Sequence, residues 1–100
     1  MNHLLNDPKN TKFFFPRCKT HRLGLKLTQG VISTIADIDR GTVGKVEKNH
    51  GILEIKMNAL FDAINEKLGG TLNKEDEIFS LDTDTNPYEY AYIIKQLKKY

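Results

Sequence analysis

One hundred residues, 39% hydrophobic and 28% charged, are enough for one compact domain, and no apolar run nears the roughly 18 residues a membrane span requires. A single cysteine, Cys18, excludes an internal disulfide and fits a reducing compartment. The net charge of +2 excludes little, but its distribution is uneven: residues 1–56 carry ten Lys or Arg against five Asp or Glu, and residues 57–100 carry five against eight. A basic half and an acidic half would orient the molecule on a polyanion, although an ordinary solvated surface could show the same split. The N-terminal residues lack the charged-then-apolar order of a secretory signal, so cytoplasmic residence is expected.

Residues 1–12 are polar, with Asn, Asp, Pro and Lys clustered, and are expected to form an arm or loop. Phe13-Phe14-Phe15-Pro16 is expected to open a first helix, since proline is tolerated in a first turn, with Phe14, Cys18, Arg22 and Leu25 on one face. Gly24 would weaken or end it. Thr28 suits an N-cap and Gln29 opens a second helix, with Ile32, Ile35 and Ala36 inward and Val31 flanking. Asp37-Ile38 reads as a turn. Asp39 then caps a third helix, in which Val43 and Val46 face inward and Arg40, Thr42, Lys45 and Lys48 outward. Asn49-His50-Gly51 ends that helix, Asn49 or Gly51 being suited to a left-handed C-terminal residue.

Met57, Leu60, Phe61, Ile64 and Leu68 give the strongest helical period in the chain, and Gly69-Gly70 stops it. After the acidic run Glu75-Asp76-Glu77, the apolar residues Ile78, Phe79 and Leu81 are compatible with a short strand but too few to require one. Asn86-Pro87 has the form of a cap and first residue for a last amphipathic helix bearing Tyr90, Ile93, Ile94 and Leu97.

Candidate chemistry is sparse. No Gly-rich phosphate loop, paired catalytic carboxylates or nucleophile–base pair stands out, and catalysis is not expected. His3, His21 and His50 have no spacing suited to a metal site with one cysteine, so neither metal nor cofactor is expected. Cys18 reads as a small core hydrophobe. Phe13–Phe15 and Tyr88, Tyr90, Tyr92 and Tyr100 could stack on single-stranded bases, but core and oligomer contacts account for them better.

Arg22, Thr28-Gln29, Ile32-Ser33, Ala36, Ile38, Thr42-Val43, Val46 and Glu47 fall without a gap into a register that resembles the lambda-repressor-like helix-turn-helix proteins of the Cro/CI (XRE) type. The helix ending at Leu68-Gly69 is similar to that family's fourth helix, and the resemblance covers about residues 14–69. Gly30, Ser33 and Asp37 depart from the family's usual residues. Gly41 and Gly44 inside the third helix each cost roughly 1 kcal/mol against alanine.

The resemblance implies an all-α bundle of four to five helices, plus a C-terminal helix and a possible short strand. The division would be an arm at 1–12, a helix-turn-helix DNA-binding domain at 13–70 and a C-terminal extension at 71–100. It implies sequence-specific double-stranded DNA binding by a transcriptional regulator, a repressor acting as a homodimer on an inverted repeat with half-sites roughly 34 Å apart. The protein would be bacterial or phage-encoded, cytoplasmic and nucleoid-associated when bound. Arg22 and Glu47 occupy the positions of an interhelix ion pair. Thr28, Gln29, Asp39, Arg40, Gly41, Thr42, Lys45 and Lys48 are the candidate DNA-binding residues, with Arg40 first for base reading because arginine bonds bidentately to guanine. Lys48, with Asn49 and His50 as weaker candidates, would meet phosphates at the helix end; taken alone, these charges would suit a solvated helix face better. Tyr90, Ile93, Ile94 and Leu97 are the candidate dimer or partner surface. The alternative is an antitoxin of the HipB or HigA type, in which the acidic segment 75–84 and the last helix would face a toxin.

Overall fold

Phe13-Phe14-Phe15-Pro16 opens no helix. In the computed structural model, which describes residues 11–82 and 87–97, Thr11–Phe14 is a strand, β1. Aromatic side chains favour an extended backbone, and Pro16 biases Phe15 away from the helical region. The chain then turns through Pro16-Arg17, with the Cys18 N–H donating to the Phe15 carbonyl at 3.1 Å, and α1 runs from Cys18 to Gly24. Thr11 and Lys12, expected in the arm, belong to this strand; residues 1–10 lie outside the described residues.

There follow α2 (Gln29–Ala36), α3 (Arg40–Glu47), α4 (Glu54–Lys67), α5 (Lys74–Glu77), β2 (Phe79–Asp82) and α6 (Pro87–Leu97). The described residues thus form a mostly helical fold of six helices with a two-stranded sheet. β2 pairs antiparallel with β1, Thr11 opposite Asp82 and Phe14 opposite Phe79. On its other edge Phe13 exchanges two backbone bonds with Ile52, at 2.8 and 3.0 Å. The strand therefore joins the α3–α4 loop to the C-terminal extension. Asn86, expected to cap α6, lies outside the described residues, as do the side chains of Tyr90, Ile94 and Leu97.

The core gathers where α2, α3 and α4 meet: Ile32, Val43, Met57, Leu60 and Ile64 are fully buried, and Phe15 stacks obliquely on Phe61 at 5.6 Å. Leu68 is half-buried against it, completing the expected apolar face of α4. Cys18 is buried in the same cluster, and desolvation pushes its thiol up to about 12, so it is neutral at ordinary pH. The α2 face differs from expectation. Ile35 is exposed, and Ser33 takes the inward position, its hydroxyl donating to the Gly30 carbonyl at 2.8 Å.

Four successive helices end in the same way. After α1, α2, α3 and α4 the chain enters the left-handed region at Lys26, Asp37, Asn49 and Gly69. Each time the next residue's N–H reaches back to a carbonyl five positions earlier: Leu27 to Arg22, Ile38 to Ser33, His50 to Lys45, Gly70 to Asn65. This doubly bonded reversal satisfies carbonyls that the helix leaves open and sets a sharp exit angle. Of the two residues suited to the end of α3, Asn49 takes the left-handed place.

Gly51 has a different task. A Cβ there would stand 2.4 Å from Lys12 Cβ and 2.9 Å from Phe14 Cζ, so only glycine lets the loop lie against β1. Gly51→Ala is expected to lower stability by about 1–3 kcal/mol, seen as a lower urea midpoint. An unchanged midpoint would mean that the loop and strand are not held together.

Candidate nucleic-acid interface

Arg22 and Glu47 stand 25 positions apart, and α1 and α3 bring them together in the least solvated ion pair of the described residues. Arg22 Nε donates to Glu47 Oε2 at 2.6 Å and Nη2 to Oε1 at 3.0 Å, a bidentate fork with the side chains 9% and 4% exposed. Nη1 donates to the Leu27 carbonyl at 2.8 Å, which ties in the α1–α2 loop. The Gln29 amide completes the set, donating to Glu47 Oε1 at 3.0 Å. The hydrogen-bonded carboxylate holds the Arg22 guanidinium above its ordinary value despite burial. One carboxylate at the end of α3 thus holds α1 and the start of α2, and through Arg22 the loop between them.

At the head of α2, Thr28 is extended and its hydroxyl accepts from the Val31 N–H at 3.1 Å, the expected N-cap. Asp39 occupies the corresponding place before α3, but its side chain makes no cap bond. Its carbonyl receives the Thr42 and Val43 N–H groups instead.

The outer surface of α3 forms one wall of a groove of about 500 Å³, lined by Gln29, Arg40, Gly41, Gly44, Lys45, Lys48 and His50. Arg40, Lys45 and Lys48 are exposed, and none has an ion-pair partner among the described residues. Asp37 and Asp39, both exposed just before α3, line a separate recess with Ile55, Lys56 and Ala59. A Cβ at Gly41 or Gly44 would meet nothing within 4 Å, so no packing within the chain calls for glycine at either place.

Two expected members of this surface are not on it. Thr42 is 7% exposed; in an eight-residue helix it stands one step of about 100° from the inward Val43 and follows it toward the core. Asn49, a weaker candidate for phosphate contact, is also buried, with its Oδ1 unpartnered, because its left-handed backbone turns it under the end of α3.

A second polar cluster has no counterpart in the motif. Glu77, from the acidic run, is buried; His21 Nε2 donates to its Oε1 at 2.9 Å and Arg17 Nη1 to its Oε2 at 3.4 Å. It pins α5 to α1 across 60 positions, turning one carboxylate of the acidic segment inward. No local pattern marks such a pairing. On α6, Tyr88 is 87% and Tyr92 64% exposed, and Ile93 is half-buried.

Among the described residues no helix is long and apolar enough to cross a membrane. Comparison with family models, with curated proteins and with solved structures gives no match for this chain.

Two opposite stability changes are expected. Glu47→Ala leaves Arg22 charged and buried with Gln29 unpartnered, and should cost about 3–5 kcal/mol. Gly41→Ala and Gly44→Ala should each gain up to about 1 kcal/mol. Urea denaturation of the three variants reads both; a mild Glu47→Ala would remove the pair from its structural role.

Proposed function

We propose that this chain is a helix-turn-helix DNA-binding protein of the lambda-repressor-like type. It acts as a transcriptional repressor, and as a homodimer on an inverted-repeat operator. The observation that carries the reading is the joint placement of Arg22, Glu47 and Gln29. They lock α1, α2 and α3 together so that Arg40, Lys45 and Lys48 share one groove without internal counter-charges.

In this reading α3 enters the major groove. Arg40, in its first turn, reads guanine O6 and N7; Lys45 follows about one and a half turns later; Lys48 and His50 meet phosphates at the far end. Gln29 has a dual task, since its side chain is engaged with Glu47 while its backbone N–H, at the head of α2, faces no intrahelical acceptor. It supports phosphate through the backbone rather than the amide. Thr28 and Asp39 serve the helix starts, and Thr42 backs the helix from inside. Gly41 and Gly44 leave stretches of the α3 wall of the groove without side chains. The exposed tyrosines of α6 suit a contact with a second copy.

The same tyrosines favour a second reading, an antitoxin whose last helix faces a toxin while α3 binds the shared operator. The inward Glu77 reduces the acidic surface available for that contact. Co-purification with the product of an adjacent toxin-like reading frame would decide for it.

The test is a salt titration of binding to the DNA upstream of its own gene against scrambled duplex, with wild type and Arg40→Ala. Preferential upstream binding is expected, and Arg40→Ala should cost roughly 1–3 kcal/mol of discrimination at particular bases. Equal, steeply salt-dependent binding to both duplexes would reduce the reading to charge attraction. Absence of binding at moderate salt would defeat it.

A further inference from the structure

Beside the α3 groove lies a smaller recess of about 140 Å³, bounded by Lys12, Thr42, Lys45, Gly51 and Lys56 with Ile52 and Leu53. Its three lysines come from three elements: Lys12 from β1, Lys45 from α3 and Lys56 from the first turn of α4. No carboxylate lines the recess, and none of the three ammonium groups has an ion-pair partner among the described residues. Glu54, also in the first turn of α4, is exposed and stands outside it; Asp37 and Asp39 line a separate recess on the other side of Lys56 and form no ion pair with it. The arrangement is held by the backbone, because Gly51 lets the Lys12 stem lie directly on the α3–α4 loop. Leu53, at the N-cap of α4, supplies no side-chain acceptor to the helix start. Like charges gathered in this way repel one another until an anion enters.

We infer that Lys12, Lys45 and Lys56 form a phosphodiester subsite that grips one backbone strand of a DNA duplex while α3 occupies the adjoining groove. The inference rests on the DNA-binding reading and adds to it a contact from β1, an element outside the helix-turn-helix motif. Lys45 lines both the recess and the α3 groove, so an occupant spanning the two must be an extended polyanion rather than a single small one. At 140 Å³ the recess exceeds several times the roughly 30 Å³ share of one liquid water, which leaves room for a phosphate group. Contacts of this kind position a duplex without reading its sequence.

The experiment uses a short mixed-sequence duplex and the full chain, as wild type, Lys12→Gln, Lys56→Gln and, as control, Lys67→Gln at the other end of α4. Binding constants are measured across a salt series, and circular dichroism checks that each variant is folded; Lys56 is exposed on a helix, so its variant tests the subsite even if Lys12→Gln unfolds. The expected result is a salt slope, log K against log salt, shallower by about 0.9 for each lost phosphate contact in Lys12→Gln and Lys56→Gln, with Lys67→Gln like wild type. Wild-type binding with unchanged slopes in both variants overturns the subsite and leaves the DNA reading standing. No duplex binding by wild type overturns both. Unchanged slopes with inorganic phosphate shifting the Lys12 and Lys56 side-chain resonances would assign the recess to a free oxyanion, which also overturns the duplex contact.

Discussion

The Glu47 carboxylate is the constraint on which the arrangement of the first three helices depends. It accepts from Arg22 and Gln29, and Arg22 in turn holds the Leu27 carbonyl, so each side-chain nitrogen in the cluster donates to an acceptor. Taking a charged pair out of water is costly, and the same space filled with apolar side chains would often be as stable. What the fork contributes is geometry: an apolar contact tolerates sliding and rotation, whereas two parallel N–H···O bonds do not. The end of α3 is thereby fixed relative to the head of α2, and the cationic face of α3 inherits that fixed position.

The helix ends supply the remaining angles. Each of the reversals at Lys26, Asp37 and Asn49 places a non-glycine residue in the left-handed region, which costs free energy at every one. Those costs are offset by two backbone bonds apiece and by the core that α2, α3 and α4 close around Ile32, Val43 and Met57. β1 adds a brace from outside the helical bundle, bonded to Ile52 on one edge and to β2 on the other. Residues late in the chain therefore support the loop that follows α3.

Local pattern made much of this visible in advance. Thr28 before Gln29, the period of α4 and its stop at Gly69, and the spacing of Arg22 from Glu47 all lie within reach of helix geometry and motif register. The larger departures from that pattern originate in non-local contact. Phe13–Phe15 before a proline suits a helix start as well as a strand, and the choice falls to β2, which pairs with it from the far end of the sequence. Glu77 looks like one of three solvated acids until α1 is placed beside it. The misplacement of Ile35 and Thr42 has a smaller cause, because in eight-residue helices an error of one position turns a side chain by about 100°. Lys12 and Lys56 gave no signal, since their proximity depends on a strand that periodicity did not reveal.

In the proposed account the cluster around Glu47 and the brace of β1 serve one end, a preset surface that meets duplex DNA with little rearrangement. Gly41 and Gly44 are useful reporters of it, because both lie on the α3 face of the groove and lack a packing role inside the protein. The most direct test is a titration of isotope-labelled protein with the duplex from upstream of its own gene, following backbone amide resonances. Arg40, Gly41, Gly44, Lys45 and the head of α2 are expected to shift together and saturate, with the Glu47 and Arg22 signals little changed. Shifts confined to α6, or a broad response through the core, would contradict the proposed account.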